Sequence, residues 1–244
     1  MPANREKNYL NILLTPLAEC AQYKPAFGKA ESDGIDMKQF KSIYGKDPLY
    51  HWVGLDSELM YAAHKAAGGM TSIYRQLGIG CERLLRQIIQ DSLRLSEKQV
   101  AWSYDYDKGD GKTATHTLDA CIRIADIKDL SRKKILLAWL HRIAADMQIP
   151  EKNIKKLTGA AFEIRQGYKS ADSKRQNADL RFGLRAYADA SFLPVIAIVS
   201  TQVSDVVIRR YSDARLYVML GTTAGQNSTF RFFSDVIGYD LAGF

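Results

Sequence analysis

The sequence predicts an α/β protein: a three-layer sandwich around a mixed central sheet, preceded by N-terminal helices. Three observations carry this expectation. Apolar spacing alternates along the chain between helical steps of three or four and strand steps of two. One stretch, residues 193–200, is apolar almost throughout, as a central strand covered on both faces would be. The elements follow the order helix, strand, strand, helix, strand, helix, strand, helix, strand, helix, which builds a hairpin first and helix-connected strands after it.

Residues 8–22 carry Leu10, Leu13, Leu14 and Leu17 at helical spacing and predict a first helix. Residues 28–50 are polar, contain Gly and Pro, and predict irregular chain. A short helix is expected over 55–66, stopped by Gly68 and Gly69. The next helix is more strongly marked. Ile73, Leu77, Cys81, Leu84, Leu85 and Ile88 form one apolar stripe, with Thr71 or Ser72 as its cap. Glu82 lies at the border of that stripe, on the same side as Arg75, Gly78 and Arg86.

The period then changes to two. Residues 99–106 predict a strand, Asp107 to Gly111 a hairpin turn, and 113–125 a second strand. Along the latter, Leu118, Ala120, Ile122 and Ile124 face one way, and Thr117, Asp119, Cys121 and Arg123 the other. Helices are expected over 131–147, 173–190, 205–213 and 228–238. Strands are expected over 159–168, 193–200 and 215–220. This organisation divides the chain into an N-terminal extension, 1–69, packed on a core, 70–244.

Composition narrows the function. No run of about 18 apolar residues exists, so no membrane span is expected. No secretory signal is read at the N-terminus. Cys20, Cys81 and Cys121 are few and far apart, which suits small core residues in a reducing, cytoplasmic compartment. The four histidines show no metal-ligand spacing. With 34 Lys and Arg against 27 Asp and Glu, the net charge is +7, which favours a polyanionic partner.

Three near-motifs fail on context. Gly109-Asp110-Gly111-Lys112-Thr113 lacks the first glycine of a phosphate-binding loop, since Tyr106 stands there. Asp105 and Asp107 begin a calcium-loop pattern without its glycine step or closing Glu. Gly78 and Gly80 lie inside a helix pattern and follow no strand.

Asp119 and Glu163 are different. Each sits mid-strand among apolar neighbours, where an unpaired carboxylate is costly. On neighbouring strands they would converge and repel unless a cation lay between them. Hard carboxylate oxygens suit Mg²⁺. The competing reading pairs each carboxylate with a nearby arginine, Arg123 or Arg165. Arg165 shares a strand face with Glu163. Beyond it come Tyr168, Lys169, Lys174, Arg175, Gln176, Asn177, Arg181 and Arg185, a mixture able to contact phosphates and base edges. Carboxylates beside cations are what phosphodiester hydrolysis requires.

The series helix-Glu82, strand-Asp119, strand Glu163-Ile164-Arg165 resembles the PD-(D/E)xK nuclease superfamily, whose core is a helix, three strands, a helix and a further strand. The string from Lys169 to Asp179 is similar to the basic segment opening the DNA-facing helix in type II restriction enzymes, of the ApaLI-like kind. The resemblance covers about residues 70–222. It implies a restriction-endonuclease-like fold, Mg²⁺ held by Asp119 and Glu163, and catalytic contributions from Arg165, Lys169 and Glu82. It further implies double-stranded DNA contacted by Tyr168, Ser170, Asp172, Lys174, Arg175, Gln176, Asn177 and Arg181, a homodimer, and a prokaryotic cytoplasmic setting. Arg165 departs from the motif's lysine, and an arginine cannot serve as general base. Lys169, six residues past Glu163, reaches the site only if Gly167 bends the strand; Lys174 is the other candidate. A structure-specific repair or junction nuclease, a non-catalytic DNA-binding protein on the same core, and a basic α/β protein with structural ion pairs are the alternative readings.

Overall fold

The structure is a computed structural model that describes residues 2–26, 34–109, 111–167 and 173–244. It divides into two compact units, residues 10–80 and residues 1–9 with 81–244. The sequence reading divides instead at 69/70.

The unit of residues 10–80 is helical. Helix α1 (Pro2–Ala18) leads into a 3₁₀ turn, Glu19–Gln22. Two short helices, α2 (Met37–Tyr44) and α3 (Pro48–Trp52), replace the irregular chain expected over much of 28–50. Their signals are local. Asp36 and Gln39 form a reciprocal capping box. Asp47 caps the next helix, with Pro48 at its first position. Helix α4 (Glu58–Leu93) corrects a second expectation. It passes through Gly68 and Gly69 without ending, so Thr71 and Ser72 are interior and cap nothing. The space a side chain at Gly68 would take holds the Tyr23 ring.

In the other unit, α5 (Glu97–Val100) occupies the beginning of the expected strand at 99–106. A Ser96–Gln99 capping box starts it. The hairpin follows as β1 (Ser103–Asp107) and β2 (Thr113–Thr117), antiparallel, with Gly109 and Gly111 at positive φ. The expected long strand 113–125 is broken. Residues Leu118 and Asp119 form a bend, and β3 (Ala120–Arg123) begins a separate sheet.

That sheet is β3-β4-β5-β6, with β4 (Gly159–Arg165), β5 (Phe192–Ile198) and β6 (Tyr217–Met219). β3 runs antiparallel to β4, and the other pairs are parallel. The sheet is therefore mixed, as expected. All seven residues of β5 are buried, as a central strand between two others requires. Helices α6 (Leu130–Asp146), α7 (Glu151–Ile154), α8 (Ser173–Ala190) and α9 (Asp205–Asp213) make the connections. The C-terminal helix is one short turn, α10 (Thr229–Arg231), continuing as a π-helical segment, Phe232–Ile237.

Side chains alternate across the sheet. Phe162 meets Phe232 of the π-helical segment, whose other neighbour is Trp139 of α6. On the opposite face, Cys121, Ala161, Ile196, Ile198 and Val218 pack with Phe182 and Ala186 of α8 and Val207 and Tyr211 of α9. Helices thus cover both faces. By parity, Glu163 and Arg165 share the α8–α9 face with Ala161. No helix among the described residues is long and apolar enough to cross a membrane.

Two glycines of α4 separate helix propensity from close packing. A Cβ at Gly80 would collide with the Leu13 backbone carbonyl, whereas one at Gly78 meets nothing within 4 Å. Gly78→Ala is expected to raise unfolding free energy by about 0.5–1 kcal/mol. Gly80→Ala is expected to lower it, because backbone must move. Urea denaturation of both variants checks the pair; equal gains would show that α1 does not approach α4 this closely.

Candidate active site

The fold brings Asp119, in the bend that enters β3, beside Glu163 on the adjacent β4. Ala120 is paired with Phe162, so Asp119, one step earlier, stands across from Glu163, one step later. The bend at Leu118–Asp119 takes the Asp119 backbone out of the ladder. Its side chain substitutes: Oδ2 accepts the Ile164 backbone N–H at 2.7 Å. Arg86 of α4 donates Nε–H to the Asp119 carbonyl.

Glu163 is 2 % exposed. A charge there must be paired. His116 on β2 donates Nε2–H to Oε1 at 2.5 Å, and Arg165 places a terminal nitrogen 2.8 Å from Oε2. That same nitrogen donates to Asp179 Oδ1 on α8, also at 2.8 Å. The Tyr211 hydroxyl of α9 donates to the other Asp179 oxygen at 2.7 Å. Asp179 and Tyr211 are fully buried. A continuous chain of hydrogen bonds and ion pairs therefore runs Tyr211, Asp179, Arg165, Glu163, His116. The other terminal nitrogen of Arg165 is 3.6 Å from Asp119 Oδ2.

The charges do not balance evenly. Burial pushes the Glu163 carboxyl up, but Arg165 and then His116 outweigh it and hold it below the usual range. Asp119 goes the other way, to about 8. Burial is the largest cause, followed by the negative charges of Glu163 and Glu82; Arg165 and the Ile164 N–H oppose them without prevailing. The neighbouring Asp119 carboxyl also helps to lower Glu163. Glu82 is also raised, by burial first, with Arg165, Arg175 and Arg86 pulling it back and Glu163 adding to the rise. Asp119 is therefore the acid of the pair that holds a proton more readily. A divalent cation would replace that proton and relieve the repulsion.

Among the described residues no three His, Cys, Asp or Glu side chains are grouped to hold a metal. Two carboxylates with water filling the remaining positions are what Mg²⁺ commonly takes, and Asp119 with Glu163 fits that donor set. Arg123 is not their partner: it donates to the Gln99 and Ala101 carbonyls. The arginine pairing with Arg165 is realised alongside the convergence of the two acids.

The expected DNA-facing residues divide. Lys174, Arg175 and Asn177 are exposed on the first turns of α8. Gln176 is a correction: it is buried, and its carbonyl accepts from Arg210 at 2.6 Å, so it presents no base-reading edge. Asn177 accepts from the same guanidinium at 2.7 Å. Arg181 lies over the Tyr106 ring, 4.2 Å from its centroid. Tyr168, Lys169, Ser170 and Asp172 lie outside the described residues. Sequence reasoning missed His116, Asp179 and Tyr211. Strand alternation would place His116 with Leu118, away from Asp119, and the bend between them cancels that parity. Comparisons with known proteins, by family model, curated sequence and solved structure, return no match to the chain.

The raised Asp119 group sets a pH dependence. Its folded value exceeds its ordinary 3.8, so its contribution to stability is complete below that pH and is lost as pH rises through about 8. Asp119→Asn keeps the acceptor for Ile164 and removes the titration. Without divalent metal, the variant's melting temperature relative to the parent is expected to climb by several degrees between pH 5 and 9. Parallel melting profiles across that range would contradict the assignment.

Proposed function

We propose that the chain is a magnesium-dependent endonuclease for double-stranded DNA, a site-specific deoxyribonuclease of the type II restriction kind acting as a homodimer. The observation that carries this reading is the convergence of Asp119, at the entry to β3, and Glu163, on the adjacent β4, with the Arg165 guanidinium beside both. The element order also supports it: α4 with Glu82, then the hairpin, then β3 and β4 antiparallel, then α8 and a parallel β5. Helices α6 and α7 are additions between β3 and β4.

Asp119 and Glu163 would hold the ion, and Glu82 would add negative charge from α4. Bound there, Mg²⁺ would polarise the scissile phosphate and lower the pKa of a water. Arg165 offers fixed positive charge to the developing negative charge on phosphorus oxygens. It stays protonated throughout and takes no part as a base. Asp179 and Tyr211 hold its guanidinium in place from behind. His116 orients Glu163 by its 2.5 Å hydrogen bond. Lys174 and Arg175, exposed at the start of α8, suit the phosphate backbone of the duplex. Two-fold symmetry of a dimer would match a palindromic site.

One observation favours a second reading, a DNA-binding protein on an inactive nuclease-like core. Both Glu163 oxygens already have protein donors, and Arg165 is committed to Glu163 and Asp179. A single assay separates the readings. Purified protein with supercoiled plasmid and Mg²⁺ is expected to yield discrete fragments whose sequenced ends recur at one site. Ends at branched or damaged positions would indicate the structure-specific alternative. Salt-sensitive DNA binding without scission would leave only the binding protein. Asp119→Ala and Glu163→Ala are expected to cut about 10²–10³-fold more slowly while retaining the parent circular dichroism; full activity in either would refute the assignment.

A further inference from the structure

A cavity lies at the end of the parallel strands away from Glu163 and Arg165. Its volume is about 310 Å³. Three connections wall it: α7 and the turn before β4, the end of α8 before β5, and the turn before β6. Ile149, Pro150 and Leu157 supply apolar surface, and Tyr187 adds an aromatic ring. Lys156 and Arg215 bring two cations, Asn153 and Ser191 supply polar groups, and among the described residues no carboxylate lines the cavity.

The backbone there is unusual. Four described non-glycine residues have positive φ, and Gln148 (57°), Ser191 (52°) and Arg215 (58°) are three of them. Each follows the end of a helix, α6, α8 or α9, the position glycine commonly takes. Ser191 and Arg215 both line the cavity, and Arg215 donates to the Gln148 carbonyl at 3.4 Å. The Tyr187 hydroxyl donates to the Arg215 carbonyl at 2.9 Å, which fixes the turn that carries the guanidinium. Holding a side chain where glycine is easier costs free energy, and such strain concentrates where the side chain has a use.

We propose that this cavity binds a small organic anion: an oxyanion, carboxylate or phosphate monoester, attached to an apolar body. Arg215 and Lys156 take the oxyanion, the guanidinium through paired N–H donors. Ile149, Pro150, Leu157 and Tyr187 cover the apolar part. The size and the mixture of apolar wall with few polar groups match small-molecule sites. The inference stands apart from the nuclease reading, since it uses none of the residues of that site.

Isothermal titration calorimetry with phenyl phosphate, benzoate, benzamide and inorganic phosphate tests it on the full chain. Phenyl phosphate or benzoate is expected to bind, and which binds more tightly distinguishes a phosphate from a carboxylate ligand. Neutral benzamide and inorganic phosphate, each lacking one half of the pattern, are expected to bind at least ~10-fold more weakly. Arg215→Gly removes the cation while relaxing the backbone, so it is expected to weaken binding by ~10-fold or more without lowering the melting temperature. Lys156→Ala, at an exposed position, is expected to weaken it in the same direction. No heat from either aromatic anion in the millimolar range, equal binding of inorganic phosphate, or unchanged affinity in both variants would overturn the proposal.

Discussion

The Arg165 guanidinium is the constraint on which the site depends. Glu163 and Asp179 are buried acids on a strand and a helix, and one arginine nitrogen lies 2.8 Å from each. A buried carboxylate is costly without a paired cation, and this guanidinium supplies one to both. The contact joins β4 to α8, and the Tyr211 hydroxyl extends it to α9. An arginine suits this duty better than the lysine of the resembling motif. Its planar group serves two acids at once and carries its charge at every relevant pH.

One guanidinium cannot satisfy every acid around it. It holds Glu163 low, yet Asp119, at 3.6 Å, remains raised to about 8. Glu82 adds a further negative charge from α4. Arg165 therefore offsets Glu163 more fully than it offsets Asp119. The raised Asp119 carboxyl is the feature on which the proposal of a cation at this site rests.

The regular part of the fold was legible because burial imposes a period. The expected helices at 173–190 and 205–213 match α8 and α9, and the apolar run at 193–200 is the buried β5 within a residue or two. Errors arose where a local hydrogen bond or a distant partner overrode the period. Asp36–Gln39 and Ser96–Gln99 start short helices in stretches read as irregular or as strand. Gly68 and Gly69 were read as a stop, but α4 continues past them. At the site, the two acids meet as expected from neighbouring chain segments, although only Glu163 is mid-strand and Asp119 lies in the bend before β3. The partners did not follow. His116 lies 47 residues from Glu163 in sequence, on a hairpin in a different sheet, and the bend at Leu118–Asp119 breaks the alternation that would have located it. Asp179 reads on sequence as one more charge on a charged helix; only the packing of α8 against β4 shows it to be buried.

The charge imbalance at Asp119 can be measured at the residue itself. A ¹³C NMR titration of the labelled Asp119 carboxyl, assigned by comparison with Asp119→Asn, reports its protonation in the folded protein. With divalent ions removed it is expected to titrate at about 8, and Mg²⁺ is expected to make it ionise well below neutrality. Titration near the ordinary aspartate value without metal, or a curve that Mg²⁺ leaves unmoved, would contradict the account.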